Sequence, residues 1–111
     1  MRRSGKVLFQ NREAGLIWQD EEGYGFQYTP HYLQSKNASP VSLTLPLRPE
    51  PYKSNTMIPF FDGLIPEGWL LNITLKNWKM DSRDRMGLLL VACKDCLGAV
   101  SIEAIENKEE Q

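Results

Sequence analysis

The chain has 111 residues, enough for one domain and too few for two. Hydrophobic residues make up 41% and charged residues 24%, a globular balance that argues against a disordered or fibrous chain. Thirteen basic residues against fourteen acidic leave a net charge of −1. That disfavours a general nucleic-acid binder, which needs a basic face to displace counterions.

In chain order, residues 6–10 (Lys-Val-Leu-Phe-Gln) read as a first strand. Residues 16–19 make a second, with Leu16 and Trp18 on one face and Ile17 on the other. Tyr24, Phe26 and Tyr28 alternate with Gly25 and Gln27, a clean period of two. Residues 20–23 are polar and end on Gly23, which suits a hairpin connection. Antiparallel neighbours with one buried aromatic face follow. Residues 30–33 read as a helical turn carrying the only histidine, His31. Val41, Leu43 and Leu45 alternate with Ser42 and Thr44, which predicts a strand over 41–45. Pro46 lacks a backbone donor and ends that strand or holds it at an edge. Pro46, Pro49 and Pro51 then stiffen an extended loop. Pro46-Leu-Arg-Pro49 has the spacing of a polyproline ligand, but an ordinary loop leaving a strand explains it more simply.

The second half turns helical. Pro66 is placed to start a helix, because its missing N–H would be unpaired there anyway. That helix should run to about Trp78, with Glu67 near its positive end. Asp81-Ser-Arg-Asp84 reads as a capping box for a second helix, on which Met86, Leu89 and Leu90 share a face. Val100 and Ile102 on one side of residues 98–105 predict a final strand. Residues 1–106 are expected to form a single domain and 107–111 a polar tail. The expected fold is α+β, a curled antiparallel sheet of about five strands with two packed helices.

On the first predicted helix, Leu71, Leu75 and Trp78 cluster within about 60° and form a core stripe. Trp69, Ile73 and Lys76 cluster nearly opposite. Trp69 is therefore either covered by another part of the domain or an exposed aromatic anchor for a partner.

The sequence lacks the chemistry of several enzyme classes. It has no phosphate-binding Gly-x-x-x-x-Gly-Lys-Ser/Thr loop, no kinase catalytic-loop motif and no Gly-x-Ser-x-Gly elbow. His31 reads as a partly buried or surface imidazole. Cys93-Lys-Asp-Cys96 has C-x-x-C spacing, but a structural zinc needs four ligands and only His31 remains as a third soft donor. The pair follows an apolar helical run instead of opening a helix, so two reduced thiols are expected. Glu21/Glu22 and Glu109/Glu110 read as solvated charges. No cofactor, metal or catalytic residue is expected. Arg2 and Arg3 are followed by no apolar stretch of a signal peptide, and the aliphatic run 88–92 is too short to span a bilayer. A soluble cytoplasmic location is the expectation, and two cysteines suit a reducing compartment.

Several stretches together resemble the N-terminal subdomain of the HipA family of bacterial serine/threonine kinases. They are Val7-Leu-Phe and Gly15-Leu, Phe26-Gln-Tyr28, Val41-Ser-Leu-Thr-Leu-Pro-Leu47, Phe60-Phe-Asp-Gly-Leu-Ile-Pro-Glu67, Leu88-Leu89 and Asp95-Cys-Leu-Gly-Ala-Val100. They occur in family order along nearly the whole chain. HipA kinases continue for hundreds of residues past this subdomain, into an ATP-binding and catalytic region. A free-standing copy resembles the HipS antitoxins of three-part HipBST systems. The resemblance implies a non-enzymatic protein that binds and neutralises a HipT-like kinase, beside a HipB-like DNA-binding protein in a ternary complex. No direct contact with nucleic acid or membrane is expected from the charge balance and the short aliphatic runs. The alternative is a non-inhibitory subunit that completes the kinase and bridges it to the HipB-like partner. A third reading is a small thiol enzyme built on Cys93 and Cys96. The family pattern does not demand a tryptophan after Pro66-Glu-Gly, so Trp69, flanked by Glu67, Asn72, Ile73 and Lys76, is the expected partner-binding group.

Overall fold

The computed structural model describes residues 3–65, 84–92 and 99–105. Five strands form one antiparallel sheet: β1 (Arg3–Phe9), β2 (Arg12–Asp20), β3 (Gly23–Tyr28), β4 (Tyr52–Ser54) and β5 (Val100–Ala104). Their spatial order is β4-β3-β2-β1-β5. Local chemistry sets the first two connections. Gln10 and Asn11, at φ 52° and 65°, make the two-residue turn between β1 and β2. Positive φ at both positions matches the twist of the flanking strands. Between β2 and β3, the Asp20 carboxylate accepts the Glu22 N–H at 2.9 Å, and Gly23 takes the positive φ that closes the turn.

The alternation read from the sequence places the core. Ile17 lies opposite Gly5 on β1 and Phe26 on β3, and Phe26 lies opposite Tyr52 on β4. Ile17, Phe26, Val7 and Ile102 are fully buried. Leu16 and Trp18 take the other face, as expected. There Gly25 is required, because a β-carbon at that position would collide with the Trp18 indole. A one-residue irregularity between Val7 and Leu8 leaves Ala14 without a partner in the register and turns it into the core.

Two strands begin earlier than the apolar pattern indicates. β1 starts at Arg3 instead of Lys6, and β2 at Arg12 instead of Leu16. Cross-strand pairing extends them through Arg3, Ser4 and Gly5 on β1 and Arg12–Gly15 on β2, where Arg12 and Glu13 are exposed while Gly5, Ala14 and Gly15 are buried. The predicted strand over 41–45 is not a strand; that segment is a chain of turns and bends. The Leu45 N–H donates to the Ser42 carbonyl at 3.0 Å, so Val41 and Leu45 bury from two ends of a turn while Leu43 points outward. The reason lies on β3. The buried Tyr28 hydroxyl accepts the Val41 N–H at 3.1 Å and donates to the Leu45 carbonyl, drawing both ends to one point. The fifth strand is instead β4, directly after the stretch expected to be a proline-stiffened loop.

Three short helices are described. α1 (Pro30–Gln34) is the expected turn, capped by Thr29 Oγ1, which accepts the Tyr32 N–H at 3.3 Å. α2 (Pro59–Asp62) is a single turn that the sequence reading did not include. α3 (Arg85–Ala92) corresponds to the second predicted helix and is capped by Asp84; Asp81, the expected start of the capping box, lies outside the described residues. Asp84 Oδ1 accepts the Gly87 N–H at 3.2 Å, and its carbonyl accepts the Leu88 N–H at 3.0 Å. Met86, Leu88 and Leu89 are fully buried, a wider face than the expected Met86, Leu89 and Leu90. Leu90 is half-buried and packs on β1, where a β-carbon on Gly5 would lie 2.7 Å from Leu90 Cδ2. The first predicted helix, from Pro66 to about Trp78, and the tail over 107–111 lie outside the described residues.

Two ion pairs tie α3 to its surroundings. Arg85 Nε donates to Asp62 Oδ1 of α2 at 2.7 Å. Arg3 Nη2 meets Asp84 Oδ1 at 2.6 Å, while the same guanidinium also donates to Gln19. The hydrogen bond from Arg3 holds the Asp84 carboxyl below its ordinary range. A depressed native pKa stabilises the fold above the unfolded carboxyl pKa, and that gain is lost as pH falls through the native value. Both groups are partly exposed, so the contribution is at most about 1 kcal/mol. Asp84→Asn keeps a capping side chain and removes the charge. Thermal melts from pH 7 down through the carboxylate range should show the variant losing less stability than the parent. Parallel curves would mean that the pair contributes nothing.

Candidate partner-binding surface

The partner residues expected from sequence, Glu67, Trp69, Asn72, Ile73 and Lys76, lie outside the described residues, as do Cys93 and Cys96. The described chain on either side of 66–83 is well anchored. Ile65 is 2% exposed, Phe61 is fully buried, and Asp62 is joined to Arg85. His31 is exposed on α1, and Glu21 and Glu22 are exposed in the β2–β3 turn.

The main feature missing from the sequence reading is the loop between α1 and β4. Three tyrosines of the fold hold its backbone. Tyr32 donates its hydroxyl to the Ser39 carbonyl at 2.7 Å and accepts the Ser39 N–H at 3.2 Å. Tyr28 binds both Val41 and Leu45 as described, and Tyr52 donates to the Pro46 carbonyl at 2.6 Å. The amide of Gln27 donates to the Pro49 carbonyl at 2.8 Å. The Arg48 guanidinium lies 3.7 Å from the Tyr52 ring centroid and donates to the carbonyls of Glu50 and Pro51. Val41 and Leu45 sink into the core. Between them Leu43 is 96% exposed, the one large hydrophobic side chain so exposed among the described residues. Pro40, Pro46 and Pro49 are also exposed. The prolines flanking 41–45 were the available signal, since neither can donate to a ladder.

A concavity of about 340 Å³ lies beside β4 at the β2–β3 turn. Trp18, Asp20, Tyr24, Lys53, Ser54 and Asn55 contribute to its wall. Its charges are mixed, with Asp20 and Glu22 beside Lys53. Among the described residues no helix is long and apolar enough to cross a membrane.

The structural match and the sequence match agree. Residues 5–103 match the model of the HipA N-terminal domain. This chain belongs to that family. The fold superimposes on a solved structure of the N-terminal domain of HipA toxin with a TM-score of 0.70, at 29% identity, over 96% of this chain and 95% of that one. An uncharacterized protein of Haemophilus influenzae is 37% identical over 101 residues, covering 91% of this chain and 92% of its own. The protein named "Putative kinase Y4mE" of Sinorhizobium fredii is 40% identical over 97 residues, which are 86% of this chain but only 23% of that relative. The HipA N-terminal domain thus occurs both at about the size of this chain and as a minor part of a longer protein.

Proposed function

We propose that the protein is an antitoxin of HipS type. It binds a cognate HipA-like serine/threonine kinase and neutralises it by occluding or restraining the active-site cleft, without catalysis of its own. The observation that supports this is the match over residues 5–103 to a domain that makes up 23% of a kinase-named relative. A domain that normally packs on a kinase body has a complementary surface on a kinase lacking it. A separate copy can fill that surface. Trp69 is the proposed contact to the cleft, flanked by Glu67, Asn72, Ile73 and Lys76. A HipB-like DNA-binding protein is the proposed third member of the complex, in the cytoplasm.

The test is a phosphorylation assay with a HipA-family kinase that lacks this domain and is encoded beside it. Stoichiometric protein should abolish phosphorylation. Stable binding with undiminished phosphorylation would replace inhibition by a structural role as a bridging subunit. Absence of binding would end both.

A further inference from the structure

We propose that the loop carrying Leu43 is a preformed docking ridge, with Leu43 at its apex inserting into an apolar depression on the body of the kinase. The proposal rests on the antitoxin reading and adds a second contact to it.

A lone exposed leucine needs no explanation on a protein surface. What distinguishes Leu43 is how firmly it is held outward. The residues on either side of its turn, Val41 and Leu45, are 6% and 3% exposed. The turn is closed internally, with Ser42 Oγ 2.9 Å from Thr44 Oγ1 and accepting the Thr44 N–H at 3.2 Å. Tyrosine hydroxyls bind the backbone at Ser39, Val41, Leu45 and Pro46. Pro40, Pro46 and Pro49 have fixed φ and present further apolar surface nearby. Such a loop gives up little conformational freedom when it binds, so an apolar side chain on it delivers most of its burial to affinity. No charged side chain lies between Pro40 and Leu47, which suits a depression without charges of its own.

The occupant follows from how the domain is used. In the Sinorhizobium relative it is joined to a chain of which it forms 23%, so the remaining body is available to cover part of it. Among the described residues, Leu43 offers the most apolar area still to be covered.

The test is titration of the domain-deficient kinase with purified wild-type protein and with Leu43→Asp and Leu43→Ser, read by calorimetry. Thermal melts should coincide for all three, because the side chain makes no core contact. Both variants should bind about 10- to 100-fold more weakly. A photo-crosslinking residue at position 43 should attach to the kinase and map to its body. Binding of the variants as tight as wild type overturns this inference and leaves the antitoxin reading standing. No binding by wild type overturns the antitoxin reading itself and the inference with it. Loss of a wild-type self-association in the Leu43 variants, with kinase binding unchanged, would assign the ridge to a second copy and also overturn it.

Discussion

Phe26→Ala is expected to destabilise the domain by about 3–5 kcal/mol, read from the urea midpoint at unchanged slope. Phe26 is fully buried on β3, between β2 and β4 and against α2. Its ring centroid is 4.8 Å from Tyr28, 5.1 Å from Phe61 and 6.4 Å from Tyr52. It therefore joins β3 to α2 and to edge strand β4 at once. Truncation removes the transfer gain of the ring and leaves a cavity among three other rings that cannot close without moving strands. Against a total stability of roughly 5–15 kcal/mol for a domain, such a loss brings the variant near the unfolding threshold. A shift below about 1 kcal/mol would show that the aromatic cluster is not the centre of the core. Leu43→Ala is the matching control and should change stability by less than about 0.5 kcal/mol, since nothing covers that side chain.

The second large effect belongs to function. Trp69→Ala should weaken kinase binding by about 30-fold or more and restore phosphorylation in a stoichiometric mixture, while the variant melts like the parent. Leu71, Leu75 and Trp78 make one stripe of the predicted helix, and Trp69 belongs to the opposite one. A tryptophan removed from the core stripe, near a helix start and beside polar residues, has the character of an interface anchor, where truncation costs about 2 kcal/mol or more. Ala at Glu67, Asn72 or Lys76 should each cost less, because rim charges and amides contribute little net affinity. A folded Trp69 variant that still inhibits fully at stoichiometric amounts would remove Trp69 from the interface. Comparing Trp69→Ala with Leu43→Asp separates the two contacts. If each weakens binding alone, the two effects should add, as expected for sites without shared partners.

What the family resemblance and the strand pattern could reach was considerable. The two-residue alternation of Tyr24, Phe26 and Tyr28, and of Leu16, Ile17 and Trp18, is a local property of extended backbone, so the faces of β2 and β3 were readable without any neighbour. The same holds for Val100 and Ile102 on β5 and for Met86 and Leu89 on α3. The motif order was sufficient to reach the HipA N-terminal domain. The proposed site was legible only as a helical pattern around Trp69.

Tertiary structure decided the rest. The segment 41–45 has an alternating pattern, yet it is a turn, because a hydroxyl contributed by β3 binds both of its ends. No local rule contains Tyr28, which lies 13 residues before Val41. Residues 52–54 became a strand because β3 had an unpaired edge to offer, not because their own propensity demanded it. Asp84 became the cap of α3 where Arg3, 81 positions away, holds its carboxylate. Periodicity therefore determined the buried faces of β3 and β5 and of the Leu16–Trp18 stretch of β2. Long-range hydrogen bonds determined which segments became strands and where Leu43 was left exposed, because their partners meet only when the chain has folded.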